Sequence, residues 1–199
     1  MLWGASAAAV PISSRVLDAS GEPVAAGTAE LRPLGADPFA RAVSTAEVRG
    51  GRFVIAAPRR GPWRVTVRAP GQVPMEISLS PLLGPRVLPP LAFPRPVPGQ
   101  VDVRSADGGP VPGAQVRVTP SPLLDPPRRG REWRPAPRAA RTGDDGRAGI
   151  VTASGEDLDF SAWSAGRGWT SSAPPDAESA AMWRAVLVTT PARRWRVLG

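Results

Sequence analysis

One stretch of this 199-residue chain occurs twice. Asp18-Ala-Ser-Gly-Glu-Pro-Val-Ala-Ala-Gly27 returns as Ser105-Ala-Asp-Gly-Gly-Pro-Val-Pro-Gly-Ala114. Pro23 and Pro110 stand 87 residues apart, as do Val24 and Val111. Each copy follows a short alternating run, Arg15-Val16-Leu17 or Val101-Asp102-Val103, and leads into another, Ala29-Glu30-Leu31 or Gln115-Val116-Arg117-Val118. A period of that size is too long for one solenoid unit and matches a whole small domain. The chain is therefore expected to carry copies of one β-module. Residues 13–96 make the first and residues 97–190 the second. Residues 191–199 open a third, because Arg194-Trp-Arg-Val197-Leu198 echoes Arg15-Val-Leu17. That ending suggests a fragment of a longer array.

Local patterning supports strands throughout. Valine outnumbers leucine, and β-branched side chains fit a pleated surface. Ile12 to Asp18, Thr28 to Arg32, Ala42 to Val48 and Arg52 to Ala56 read as strands, with Arg49-Gly50-Gly51 as a hairpin turn. Trp63 to Arg68 and Met75 to Leu79 alternate cleanly, which places Trp63, Val65 and Val67 on one face and Glu76 and Ser78 on the opposite face from Ile77. The proline-dense tract from Pro81 to Pro98 reads as an extended linker or edge strand. In the second copy Gln100 to Arg104, Ala114 to Thr119, Arg147 to Val151, Asp157 to Trp163 and Trp183 to Thr189 are expected strands, with Asp144-Asp145-Gly146 as a hairpin turn. Phe160 to Trp169 fits the last sandwich strand in more than one register. Between the second and third of these strands lies a Pro/Arg-rich loop at 120–141, longer than its counterpart.

The N-terminus ends in small residues after a short apolar run, so residues 1–12 resemble a truncated signal-peptide remnant; the competing reading is a frayed first strand. No segment approaches the roughly 20 apolar residues that span a bilayer as a helix.

The chain has a net charge of +8, and all 25 of its basic residues are arginine. Abundant Ala, Gly, Pro and Arg without Lys or Tyr match a GC-rich coding bias, which accounts for the charge better than nucleic-acid binding. Cysteine and histidine are absent. That excludes disulfides, thiol chemistry, His or Cys metal ligands and a Ser-His-Asp triad. The spacing around Gly146 does not fit a calcium loop, since its first ligand position would fall on Arg141. Glu156, Asp157 and Asp159 alternate around Leu158 and Phe160 and read as a solvated strand face.

The recurring pattern resembles the carboxypeptidase regulatory-like domain, one of the transthyretin-like and carbohydrate-binding-like β-sandwiches. The residues that carry the resemblance are Val16, Asp18, Gly21, Pro23, Val24, Gly27, Gly51 to Ile55, Gly61, Trp63, Val65, Val67 and Gly71 in the first copy. In the second they are Val101, Val103, Asp107, Gly108, Pro110, Val111, Gly113, Ala114, Val116, Val118, Thr142, Asp144 and Gly146. The second copy departs at Ala148, where the first has an aromatic. The resemblance implies an all-β chain of two tandem Ig-like or transthyretin-like sandwiches of about seven strands each. It also implies a module appended to a larger protein. These are positions of turn and core, so they speak to fold before function.

The expected role is a non-catalytic, secreted, periplasmic or cell-envelope accessory module, with no cofactor, no metal and no catalytic residues. Its expected partners are neighbouring domains of a larger chain, and polysaccharide or protein. One alternative is carbohydrate binding through exposed tryptophans, for which Trp133 and Trp169 are the surface candidates. Another is binding of an acidic polymer by Arg128, Arg129 and Arg131 in the 120–141 loop.

Overall fold

The computed structural model describes residues 9–59, 61–120, 132–153, 156 and 158–165, together with the backbone of 167–172 and 183–189. Among the described residues every regular element is a strand, so the chain is all-β. No helix of the described residues is long and apolar enough to cross a membrane. The chain divides into two compact units, Met1–Pro96 with Pro122–Ala136, and Val97–Ser121 with Pro137–Gly199.

The first unit holds β1 (Val10–Leu17), β2 (Ala26–Pro33), β3 (Ser44–Arg49), β4 (Arg52–Ala57), β5 (Trp63–Arg68), β6 (Met75–Leu79), β7 (Arg86–Val87) and β8 (Leu91–Ala92). The second begins with β9 (Pro96–Ser105) and β10 (Gln115–Pro120). The chain then supplies β11 (Arg134–Pro135) to the first unit. It completes the second with β12 (Arg138–Arg141), β13 (Arg147–Ala153), β14 (Leu158–Ser164), β15 (Arg167–Ser172) and β16 (Trp183–Thr189).

Strand order in the first unit is β11-β6-β5-β2-β3-β4-β1-β7, with β8 also on β1. In the second unit one sheet runs β12-β10-β14-β15 and the other β13-β9-β16. The two orders are the same once matched from the repeat outward. β6-β5-β2-β3 corresponds to β15-β14-β10-β12, and β4-β1-β7 to β13-β9-β16. Even the parallel pair recurs, β1 with β7 and β9 with β16. The register recurs as well, since Leu31 opposes Val65 and Val118 opposes Phe160.

Alternation explains the cores. Ile12 and Val16 of β1, Leu31 of β2, Val48 of β3, Phe53 and Ile55 of β4, Val65 and Val67 of β5 and Ile77 of β6 are all buried. In the second unit Val101, Val103, Val116, Val118, Ile150, Leu158 and Phe160 from both sheets form one cluster, the arrangement of a sandwich. Ala148 of β13 takes the place of Phe53, and Phe160 of β14 the place of Val65. The aromatic ring stands on another strand, so each core keeps one phenylalanine in this pair of positions, the second pair being smaller by two carbon atoms.

Several expectations change. β1 begins at Val10, not Ile12, because Val10 is itself buried and pairs with Ala57. Residues 1–8 and 190–199 lie outside the described residues. Of the two readings of the proline-dense tract the edge strand holds and the linker does not: β7 ends the sheet order, β7 and β8 lie along β1, and Leu82, Leu88, Leu91 and Phe93 are buried. Phe160 to Trp169 contributes to two strands, and the register of β14 on β10 fixes which residues face the core. The 120–141 segment is no plain loop, since β11 and β12 occupy its second half.

The shared turn shows why the repeat is so specific. Val16 N–H donates to Gly51 O at 2.8 Å, Gly51 N–H to Val24 O at 2.8 Å, and Val24 N–H to Val16 O at 3.1 Å. In the second unit Val103 N–H donates to Gly146 O at 2.8 Å and Val111 N–H to Val103 O at 3.0 Å. Both glycines have positive φ, +69° and +75°. A Cβ on Gly51 would stand 2.6 Å from Pro23 Cβ, and one on Gly146 would stand 2.9 Å from Pro110 Cβ. Each glycine is therefore fixed by both its conformation and its contact with the repeated proline.

Gly51→Ala and Gly146→Ala should each cost about 2–4 kcal/mol, combining left-handed strain with a steric clash. Gly71→Ala, also at positive φ but with nothing within 4 Å, should lose only about 1 kcal/mol. Denaturant midpoints would check this, and equal losses at all three positions would contradict the packing argument.

Candidate functional site

Residues 132–136 of the arginine- and tryptophan-rich segment are docked on the first unit, whereas β12 belongs to the second. Arg134 of β11 pairs in register with Glu76 of β6, and Pro135 with Met75. Ala136 N–H donates to Pro74 O at 2.7 Å, and the Trp133 indole N–H to Pro89 O at 2.9 Å. Trp133 is half-buried. The Arg134 guanidinium reaches Glu76 Oε1 at 2.8 Å and 3.1 Å, and Arg64 Nε lies 3.5 Å from Glu76 Oε2.

Glu76 is consequently 3 % exposed, and every residue of β6 is buried. Alternation sets Glu76 and Ser78 on the face opposite Ile77, and that face is buried too. β11 seals that edge, and two arginines make burial of the carboxylate tolerable.

Arg138, at the start of β12, donates to Glu156 Oε1 at 2.5 Å, and both side chains are buried. Glu156 therefore does not lie on a solvated face as the sequence suggested: its other oxygen accepts from Ala153 N–H at 2.9 Å. Asp159 is exposed as expected, and Asp157 lies outside the described residues. Arg128, Arg129 and Arg131 also lie outside them. Trp169 falls on β15 and Trp183 on β16, and their side chains are not among those described. Trp63 is buried, and its indole N–H donates to Pro58 O at 2.9 Å. Trp163, which the sequence did not single out, points outward from β14 and is 42 % exposed.

A second arrangement escaped the sequence reading altogether. Arg49 and Arg52 close the β3–β4 hairpin as a direct pair, and Arg52 is in turn paired with Arg15 of β1. All three are exposed, and their neighbours Val16, Val48 and Phe53 point into the core. Three arginines thus stand side by side across three strands on one outward face. Directly opposed like charges destabilise a sheet. Glu47, two residues along β3, accepts from Arg49 Nε at 2.6 Å. Among the described residues neither Arg15 nor Arg52 has an ion-pair partner.

The second unit resolves the same position differently. The residue matching Arg15 is Asp102, fully buried, with its Oδ1 3.3 Å from Nε of Arg147, the match of Arg52. Arg104 Nη2 lies 3.7 Å from the other carboxylate oxygen. Where the first hairpin reads Arg49-Gly50-Gly51-Arg52, the second reads Asp144-Asp145-Gly146-Arg147. Charge at this end of the module is inverted between copies. The 87-residue offset already sets Arg15 against Asp102, so the signal was present in the sequence; the missing information was which hairpin residues lie beside them.

Elsewhere on the first unit, Glu30 receives Arg32 Nη1 at 2.9 Å and Arg68 Nε at 3.1 Å. Burial pushes the Glu30 carboxyl up, but these two guanidinium groups outweigh it and hold it below its ordinary value of 4.5. Asp18 is also held low, chiefly by the Ser20 hydroxyl and then by backbone N–H groups of its own turn. No group of three or more His, Cys, Asp or Glu side chains among the described residues could hold a metal ion.

No family model matches the chain, and no curated protein matches it. Among solved structures it is similar to the D295N form of the shaft pilin SpaA from Lactobacillus rhamnosus GG. The likeness has 10% identity and a TM-score of 0.35, over 94% of this chain and 100% of that one. The minor pilin GBS52 from Streptococcus agalactiae gives 10% identity and a TM-score of 0.32, over 96% and 99%. The Bacillus anthracis TIE protein gives 12% identity and 0.32, over 92% of this chain and 34% of that one. At these values the likenesses carry no argument about function.

Two outcomes follow. Glu76→Ala leaves Arg64 buried without its carboxylate and should cost about 3–5 kcal/mol, whereas Arg134→Ala, with a side chain 41% exposed, should cost about 1 kcal/mol or less. Chemical denaturation of both variants would show the asymmetry. Because the folded Glu30 value lies below the unfolded one, its stabilisation is complete above the unfolded value and is lost as pH falls through the folded one. Glu30→Gln should therefore be less stable than the parent at pH 7 and converge on it in acid, which melting temperatures between pH 7 and pH 2 would test.

Proposed function

We propose that this chain is a non-catalytic β-sandwich repeat module of a larger secreted or envelope protein, serving as a structural and binding accessory. The observation that carries this reading is the identity of what the two units share. Strand order, register and the glycine–proline turn recur, and apart from Arg52 and Arg147 the recurring residues named above are turn or core groups. The other charged positions differ between copies, and Arg134, Arg138 and Arg147 are held in ion pairs with Glu76, Glu156 and Asp102. Duplication has multiplied a frame and varied its surface. The resemblance to the carboxypeptidase regulatory-like domain supports the same reading, since that family is one of appended sandwiches and its motif consists mainly of turn and core positions.

In the parent protein the module is expected to span or space neighbouring domains outside the cytoplasm. Protease added to intact cells should digest the parent, and the purified chain should show no turnover of peptide, ester or glycoside substrates. Protection of the parent in intact cells would overturn the placement. Turnover abolished by Glu156→Gln or Asp159→Asn would overturn the non-catalytic role. Carbohydrate binding through tryptophan is a second reading, favoured by the outward, 42 % exposed ring of Trp163. It predicts polysaccharide retardation in affinity gels that is lost in Trp163→Ala.

A further inference from the structure

We propose that the outward row Arg15–Arg52–Arg49 of the first unit is a binding site for a linear acidic polysaccharide, recognised through its carboxylates. The row has three features that a merely solvated surface does not need. Its arginines are placed directly opposite one another, where mutual repulsion opposes pairing of the strands that carry them. Adjacent strands lie about 4.8 Å apart, so the three arginines spring from closely and regularly spaced backbone positions. The same position in the second unit carries the compensating carboxylate, Asp102 on Arg147, which shows that the module can be built without the repulsion.

The surroundings define the ligand. Beyond the row the same face presents Ser13, Val54, Pro11 and Ala56, small and uncharged, with Val87 of β7 beside Ser13. Such a surface admits a flat sugar ring next to a charged group. It offers none of the aromatic platforms on which single-stranded bases stack. The neighbouring anions do not close the site. Glu47 pairs with the outermost arginine at an exposed position, and the Asp18 carboxylate is engaged by Ser20 and Glu22 N–H within its own turn. Guanidinium groups bind carboxylates through paired N–H donors, so uronate residues recurring along a chain would engage successive arginines.

Polygalacturonate is the probe, with dextran as the uncharged polysaccharide and oligothymidylate as the phosphate polymer. The full chain should bind polygalacturonate with an affinity that falls steeply as salt rises, and bind the other two at least about tenfold more weakly. Arg15→Asp gives the first unit the carboxylate that the second already has. It should lower polygalacturonate affinity by at least about tenfold while leaving the melting temperature unchanged or higher. Arg52→Gln, milder for folding, should weaken binding in the same direction. Arg41→Asp makes the same charge change at an exposed arginine off the row and should alter affinity by no more than about twofold. Parent-like binding by Arg15→Asp and Arg52→Gln would overturn the proposal. So would equal losses in Arg41→Asp, which would reduce the effect to net charge, or tighter binding of oligothymidylate, which would make the site a phosphate reader.

Discussion

The contact between a left-handed glycine and the proline of the neighbouring turn organises both units. A chain leaving β1 must turn at Pro23, re-enter as β2, and later bring the β3–β4 hairpin back beside β1. Gly51 is where these three passages of backbone meet, and a side chain there would overlap the proline. The hydrogen bonds linking Val16, Gly51 and Val24 then fix the register of β4 on β1. Register in turn decides which residues face the core, because a slip of one residue would expose the whole apolar set. The same geometry at Gly146, Pro110 and Val103 shows that it is a property of the module and independent of the surrounding loops.

Much of this was legible residue by residue. Trp63–Arg68 and Met75–Leu79 occur at the bounds their alternation indicates, and both hairpin glycines could be named in advance. What was not legible depends on neighbours distant in sequence. β11 is two residues long and contains a proline, so no local pattern marks it; it exists because β6 offers an open edge and Glu76 a counter-charge. Glu76 and Asp102 lie opposite the core in their own strands and Glu156 lies between two strands, yet arginines from β5, β11, β12 and β13 cover them. Alternation reveals which residues share a face and says nothing of what lies upon it. The Arg15–Arg52–Arg49 row is the same lesson in reverse: three arginines unremarkable in sequence become a site only once register aligns them.

The two copies have diverged most where the frame is indifferent. Their hairpins differ in sign of charge while keeping glycine in place, and the first carries the exposed Arg15 where the second buries Asp102. A repeat protein can acquire a binding surface in one unit without disturbing the other, since each closes on its own turn. That division of labour is consistent with a frame retained for stability and a surface free to specialise.

The exchange of aromatic positions between the cores bears on how such neighbours avoid interfering with each other during folding. Adjacent domains with near-identical turns can trade strands and misassemble. Here a hybrid that placed β4 of the first unit with β14 of the second would force Phe53 and Phe160 into one core. The reciprocal hybrid would combine Ala148 with Val65 and leave a void. Each parental core holds one phenylalanine ring in this pair of positions, whereas the hybrids hold two or none. The shift of one ring from β4 to β14 therefore acts as a steric identity tag, letting each half of the chain recognise its own strands among copies built to the same plan.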